Sequence, residues 1–208
     1  DLYRTALDGQ PLNANGTQSG DPWALCQWVL EQEAAGCDRY ILSLDQLHSG
    51  GLVNSRCTTR ADADVPNGDP VSLSQMLEDL LEALAADRNN AVWLLDSVMR
   101  LAPTVGYEGG TLEEYNWLRS FGSLPRKTLE GAELTFEGVL DSYLWGPNQE
   151  SIYNQAAEQG PAKDYDAFIR CLSARERKLT YSDMTQEILA GPGYEHFRLL
   201  IGIDDSSL

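Results

Sequence analysis

Residues 40–45 read Tyr-Ile-Leu-Ser-Leu-Asp, a short apolar run that ends on an aspartate. Two later segments have the same form: residues 91–96 read Ala-Val-Trp-Leu-Leu-Asp, and residues 199–205 read Leu-Leu-Ile-Gly-Ile-Asp-Asp. A strand buried in a parallel sheet is a continuous apolar run, and open α/β sheets bind ligands at the carboxyl ends of their strands. The sequence therefore predicts three strands, at 39–44, 91–95 and 197–203, with acidic groups at one edge of the sheet.

The segments around these runs have helical patterns, so the predicted order is α-β-α-β, then several helices, then β. This order is typical of an α/β protein with a mainly parallel sheet, flanking helices and a helical insertion over 101–196. Three strands are few for this class, and no strand is predicted before the first helix. We therefore expect residues 1–208 to form a single α/β domain or a fragment of a longer protein.

Local signals predict where the helices begin and end. Pro161 is expected to open a long helix that closes on the basic segment 175–178, which we interpret as a solvated helix end. A separate short helix is predicted from Ser182. Capping patterns predict three further helix starts, at Asp21, Ser72 and Thr111.

The composition argues against several classes of function. The chain has 15 Lys and Arg against 32 Asp and Glu, which gives a formal net charge of -17. Because nucleic-acid binding depends on basic side chains that neutralise phosphates, we predict no nucleic-acid partner. No segment approaches the roughly 20 apolar residues of a membrane helix, and no secretory signal is present, so we predict no membrane insertion and a cytoplasmic location. The cysteines lack metal-ligand spacing, and we expect Cys26 and Cys171 to be buried free thiols.

The segment after the first predicted strand carries the strongest candidate site. Asp45 is followed by the paired glycines Gly50 and Gly51 and then by Arg56. Glycines permit positive φ and the close approach of a ligand, and a guanidinium suits a carboxylate, a phosphate or sugar hydroxyls. The alternative is structural: Asp45 would cap a turn, the glycines would only turn the chain, and Arg56 would pair with a surface acid.

Asp204 and Asp205 form a second acidic strand end. Adjacent carboxylates can present one acid to a ligand or a divalent cation while the other orients a neighbour. The alternative is a solvated turn, because Asp-Asp-Ser-Ser is also a turn sequence. A divalent cation at this pair stays an open alternative without support from ligand spacing, and no other cofactor is predicted.

The remaining strand-end acid, Asp96, is interpreted as a helix N-cap. Arg100 lies four positions later, a spacing that suits an intrahelical ion pair, although a ligand role for Arg100 stays open. The two histidines, His48 and His196, have no zinc-ligand spacing, so we assign no metal ligands. Neither GxSxG nor GxGxxG occurs, which argues against the simplest hydrolase and dinucleotide-binding motifs.

Several segments together resemble a bacterial family called domain of unknown function 4127. The longest match is residues 43–56, where the family pattern is S-L-D-x-L-x-x-G-G-L-x-x-S-R. Shorter matches at 98–104, 114–119, 173–178 and 200–206 follow in the family's order. The resemblance implies a fragment of a longer protein and assigns no activity. It singles out Asp45, Gly50, Gly51, Arg56, Arg100, Arg175, Asp204 and Asp205.

Acids and arginines at one sheet edge favour a hydrolase-like enzyme that acts on a polar small molecule or a glycan. Asp45 would form an acid–base pair with Asp204 or Asp205. The alternatives are a non-catalytic ligand- or metal-binding module and a structural domain with no site of its own. The sequence does not predict the oligomeric state. The candidate substrate-binding residues are Gly50, Gly51, Arg56, Arg100 and Arg175.

Overall fold

The computed structural model describes residues 20–56, 72–98, 102, 104–106, 111–133, 135, 138, 141–142, 144–151 and 165–203. These residues divide into two compact units. The sheet unit contains the described residues from 20 to 98 and from 176 to 203, and the helical unit contains those from 102 to 175. The expectation of a single domain or fragment, with a helical insertion over 101–196, stays a prediction.

The sheet unit is built on three parallel strands with flanking helices, which confirms the predicted α/β class. The strands are β1 (Arg39–Ser43), β2 (Ala91–Val98) and β3 (Phe197–Ile203). Their order in the sheet is β1-β2-β3, and both neighbouring pairs are parallel. β2 is therefore the central strand, and the carboxyl ends of all three strands lie at the same edge.

β2 continues beyond its predicted end. Its pairing with β3 runs on through Asp96, opposite Ile201, to Val98, opposite Ile203. Asp96 is thus a strand residue, and the prediction that it caps a helix is wrong. The physical reason is that β3 supplies ladder partners for β2 beyond the end of the apolar run, which the local sequence does not reveal.

Four helices of the sheet unit precede or connect its first two strands. The side chain of Asp21 accepts a hydrogen bond from the backbone N–H of Ala24 at 3.1 Å, and Ser72 accepts one from that of Gln75 at 3.2 Å, which confirms these two predicted helix starts. Within the described ranges, none of the helices has the length and apolar character needed to cross a membrane. The four helices are α1 (Pro22–Ala34), α2 (Leu44–Ser49), α3 (Leu52–Ser55) and α4 (Leu73–Ala86).

Tyr165–Ala190 is one continuous helix, α6, which follows α5 (Leu112–Gly122) of the helical unit in the chain. The prediction that one helix ends at Lys178 and another begins at Ser182 is wrong. The intervening residues contain neither glycine nor proline, so nothing in them breaks a helix. Lys178 and Ser182 are instead joined one turn apart, because the ammonium donates to the Ser182 hydroxyl at 3.0 Å.

The apolar core of the sheet unit lies on one face of the sheet. Side chains alternate along β2, so Val92 and Leu94 are buried whereas Trp93 is 44% and Leu95 39% exposed. The buried row packs against leucines of α1, α2 and α4. On the other face Ile41 is 76% exposed. The strands were expected to be buried, and in the described residues this holds for one face only.

The helical unit contains α5 (Leu112–Gly122) and a 3-10 turn at Gly131–Glu133. Thr111 and Glu114 form the predicted capping box, in which each side chain accepts from the backbone N–H of the other residue. The same glutamate binds Arg170 at 2.9 Å. Among the described residues of this unit, one apolar core cluster is formed by Ala102, Trp117, Leu118, Phe121 and Cys171.

Cys26 and Cys171 are buried free thiols, as predicted. Burial raises the pKa of each thiol to about 12, so both groups stay protonated at neutral pH. A protonated buried thiol is a poor nucleophile, and these cysteines are therefore packing residues.

Candidate functional site

Two aspartates meet at the carboxyl edge of the sheet. Asp45 lies in the first turn of α2, directly after β1, and Asp96 lies near the end of the neighbouring strand β2. Because β1 and β2 are adjacent and parallel, their carboxyl ends bring both side chains to one place. The side chains of Asp45 and Asp96 are 8% and 2% exposed. Burying two carboxylates so close together requires a cation to offset the lost hydration.

Lys178 of α6 supplies that cation. Its side chain is fully buried, and its ammonium donates a hydrogen bond to Oδ1 of Asp96. The same Nζ atom lies 3.7 Å from Oδ1 of Asp45. We call Asp45, Asp96 and Lys178 the carboxylate–lysine cluster. The prediction that segment 175–178 is a solvated helix end is wrong for Lys178, because this side chain turns into the protein to neutralise buried acids.

Ser97 joins the two aspartates through both its backbone and its side chain. Its hydroxyl donates to Oδ2 of Asp45 at 2.9 Å, and its backbone N–H donates to Oδ1 of Asp96 at 2.8 Å. Ser97 itself is half-buried. The two carboxylates are therefore held differently. Oδ1 of Asp96 accepts hydrogen bonds from both Lys178 and the Ser97 N–H. Asp45 accepts one hydrogen bond from the Ser97 hydroxyl and forms a longer ion pair with Lys178.

The pKa of Asp45 is raised above its ordinary value, and burial is the largest cause. The charge of Lys178 and the hydrogen bond from Ser97 act in the opposite direction, the charge of Asp96 adds to the increase, and that of Arg56 lowers the pKa slightly. The net result is a carboxyl group that takes up a proton at a higher pH than an exposed aspartate. Such a group is suited to general acid–base chemistry.

His48 lies beside this cluster. It is buried, its Nδ1 atom is 2.7 Å from the Ser49 hydroxyl, and its ring stacks on Tyr181 with centroids 5.3 Å apart. One donor atom each from Asp45, His48 and Asp96 lie within 4.8 Å of one another, a spacing that could hold a divalent cation. Lys178 places its own positive charge against the same carboxylates, so a metal ion would have to displace or deprotonate it.

The glycine pair shapes the chain beside the cluster. Gly50 has φ of 72° and ends α2, and Gly51 has φ of 137°. The backbone of Gly20 approaches closely, with its N–H donating to the Gly50 carbonyl at 2.7 Å, and a Cβ atom at position 50 would collide with the Gly20 carbonyl oxygen. The group that approaches Gly50 closely is thus the backbone of Gly20. A ligand-binding role for Gly50 and Gly51 stays a prediction.

The structure describes two of the other predicted site residues, Arg56 and Arg175. Arg56 follows α3 and is 7% exposed, near enough to Asp45 to affect its pKa. Arg175 is a half-buried residue of α6 and belongs to the helical unit. The proposed roles of Arg100, Asp204 and Asp205 stay predictions, since these three lie outside the described residues.

Sequence reasoning missed Lys178 and Ser97, and it misread Asp96. Ala174, Lys178, Ser182 and Thr185 recur every three or four positions along α6 and are all buried, but this burial is seen only in the structure. A buried lysine needs a buried acid as its partner. The sequence does not identify that acid, because Asp96 lies 82 positions away in the chain.

Comparison with known proteins identifies the family. Residues 10–136 match the family described as "Protein of unknown function (DUF4127)", which is well over half of the chain. The chain belongs to this family. The match confirms the resemblance seen in the motifs, and it contains Asp45, Asp96 and Ser97 but ends before Lys178. Searches of curated proteins and of solved structures find no match to this DUF4127 chain.

Proposed function

We propose that this DUF4127 protein is an enzyme with hydrolase-like chemistry on a polar small molecule, and that Asp45 is its general acid–base. The supporting observation is the carboxylate–lysine cluster: two buried carboxylates around one ammonium group at the carboxyl edge of a parallel sheet. Open α/β sheets bind their ligands at this edge. Ionisable groups with perturbed surroundings concentrate at functional sites.

The two aspartates have different roles in this proposal. Asp96 accepts from Lys178 and from the Ser97 amide on one oxygen, which makes it a positioning group. Asp45 has the longer ion pair, and its Oδ1 atom has no hydrogen-bond donor among the described residues. Because burial raises its pKa above the ordinary value, Asp45 is the member of the pair proposed to release and recover a proton.

Positive charge at the same place favours a polar or anionic substrate. The guanidinium of Arg56 lies close enough to affect Asp45 and is suited to a carboxylate, a phosphate or hydroxyl groups. The roles of Arg100 and Arg175 as further substrate-binding residues stay predictions from the sequence. The net charge of -17 favours a small molecule over a nucleic acid.

A glycan substrate would need a different pair of carboxyl groups. Glycoside hydrolysis uses two carboxyl groups roughly 5–10 Å apart on either side of the sugar bond. The ammonium of Lys178 contacts both Asp45 and Asp96, which leaves no space for a sugar between them. In the glycan form of the proposal, Asp204 or Asp205 would therefore be the partner of Asp45.

A metal-binding module is the second candidate, and the specific observation that favours it is the donor group of Asp45, His48 and Asp96. Two carboxylates and one imidazole suit several divalent transition metals. This candidate requires Lys178 to leave its position, whereas the acid–base proposal uses Lys178 where it lies.

The test of the enzyme proposal is turnover by matched variants. A panel of chromogenic carboxylic esters, phosphate esters and glycosides would be assayed with the wild type, Asp45→Asn and Asp79→Asn. Asp79 is an exposed residue of α4 and is the control. Loss of an acid–base group is expected to slow turnover by roughly 100-fold or more, while Asp79→Asn leaves it unchanged. Turnover that Asp45→Asn leaves intact would refute the proposal.

A further inference from the structure

Ser97 occupies an unusual position for a strand residue. Its hydroxyl donates directly to Asp45, the carboxyl group with the raised pKa, at 2.9 Å. The residue opposite on β3 is Gly202, and a Cβ atom there would meet nothing closer than the Asp96 carbonyl oxygen at 3.8 Å. Since paired residues of neighbouring strands face the same side of a sheet, β3 places no side chain directly opposite Ser97.

A hydroxyl bonded to a carboxylate base is the pairing that nucleophilic catalysis requires. Serine is a weak nucleophile at neutral pH and becomes effective when an adjacent base removes its proton. The base itself must be oriented by a third group. Here Asp45 is adjacent to Ser97, and the ammonium of Lys178 lies 3.7 Å from the other oxygen of the same carboxylate.

We propose that Ser97 is a catalytic nucleophile, with Asp45 as its general base, and that the substrate class is carboxylic esters. This inference rests on the proposed acid–base function of Asp45 and deepens it by naming the second reacting group and the substrate. Lys178 and Asp96 are positioning residues, because they fix Asp45 and the backbone of Ser97 without touching the reacting atoms.

The reaction balances with water as the co-substrate. Asp45 takes the proton of the Ser97 hydroxyl as Oγ forms a bond to the ester carbonyl carbon, and the carbonyl electron pair moves to oxygen. When this pair returns, the bond to the alcohol breaks, and Asp45 gives its proton to the departing alkoxide. Water then attacks the acyl–serine with Asp45 again as base, which releases the carboxylic acid and restores the Ser97 hydroxyl.

A raised pKa at Asp45 supports this role. The Ser97 hydroxyl already donates to the Asp45 carboxylate at 2.9 Å, and burial, by raising the pKa of Asp45, makes this carboxylate a stronger base than an exposed aspartate. The guanidinium of Arg56 lies close enough to influence the same carboxylate and offers positive charge for the developing oxyanion.

Covalent labelling tests the inference on the intact chain. The wild type would be incubated with an alkyl fluorophosphonate, whose phosphorus accepts Oγ as the P–F bond breaks, while the serine proton goes to Asp45 and fluoride leaves. Intact-mass measurement and peptide mapping are expected to find one adduct, on Ser97. A folded wild type that carries no adduct on Ser97 would overturn the inference, and this result needs no variant.

Variants separate this inference from the function on which it rests. Ser97→Ala is expected to abolish labelling and ester turnover, and Ser120→Ala, on an exposed face of α5, to leave both unchanged. Asp45→Asn is expected to slow labelling by roughly 100-fold. Turnover that depends on Asp45 but survives Ser97→Ala would refute the role of Ser97 as nucleophile and would be consistent with the acid–base role of Asp45. Labelling and turnover that both survive Asp45→Asn would overturn the two together.

Discussion

The ammonium of Lys178 donates a hydrogen bond to Asp96, a residue 82 positions earlier in the chain, and both side chains are almost completely buried. This contact fastens α6 to the end of the central strand β2. It also completes the cluster at the carboxyl edge of the sheet, because Asp45 of α2 lies 3.7 Å from the same nitrogen.

Replacing Lys178 with methionine is expected to destabilise the protein by about 3–5 kcal/mol, because two buried carboxylates would lose their counter-ion. The free energy of unfolding in urea measures the loss. The control is Arg88→Met, which removes an exposed ion pair to Glu195 of 2.6 Å in the same unit. Exposed pairs contribute little, so a similar loss in both variants would contradict a special role for the buried lysine.

The same substitution is expected to improve divalent-metal binding. Without the ammonium, the donor atoms of Asp45, His48 and Asp96 lie within 4.8 Å of one another with no competing positive charge from Lys178. Titration calorimetry with Mn²⁺ should show binding at least roughly tenfold tighter than in the wild type, since removing one like charge at this distance is worth more than 1.4 kcal/mol. Adding His48→Ala to Lys178→Met should reverse the gain. Tight Mn²⁺ binding by the wild type would favour the metal-binding module instead.

Stability should fall with rising pH through the titration of Asp45. Its pKa in the folded protein is raised above the ordinary value of 3.8, so the folded state holds this proton when the unfolded chain has already lost it. The unfolded state then binds fewer protons, and the linkage relation makes the contribution of Asp45 decrease as pH rises from 3.8 to the raised value. Asparagine does not titrate, so the stability of Asp45→Asn relative to the wild type should increase across this range. If the free energies of unfolding of the wild type and of Asp45→Asn changed in parallel from about pH 4 to about pH 8, the raised pKa of Asp45 would be contradicted.

Gly50→Ala is expected to destabilise the protein more than Gly36→Ala. Both glycines have positive φ, 72° and 90°, so alanine is strained at either position by about 1–2 kcal/mol. At Gly36 a Cβ atom would meet nothing within 4 Å, whereas at Gly50 it would collide with the backbone of Gly20. Thermal unfolding of the two variants isolates the effect of this close approach. Equal losses would show that φ alone decides the requirement for glycine at position 50.

The helix starts and the strands were predictable because their causes are local. Asp21 and Thr111 cap helices through backbone groups three positions away, and the apolar runs at 40–45 and 91–96 become β1 and β2. The end of α2 at Gly50 also has a local cause, a residue that tolerates positive φ, although the sequence did not predict α2 itself. Each of these features depends on interactions within one turn or one strand.

The candidate site was predictable only in part. The sequence singled out Asp45 and Arg56, both of which are buried at the carboxyl edge. It assigned Asp96 to a helix cap because the local pattern ends with the apolar run, while the strand continues through pairing with β3. It assigned Lys178 to a solvated helix end because basic residues that close a helix complement the helix dipole and are usually exposed.

The sequence by itself determined the three strands, the helix caps and the placing of acids at one edge of a parallel sheet, since short-range backbone and side-chain preferences specify these features. The tertiary structure alone decided that Asp45, Asp96, Ser97 and Lys178 form one cluster. The physical reason is that a lysine or an aspartate can be buried only when an opposite charge is buried with it, and here packing brings that charge from distant parts of the chain.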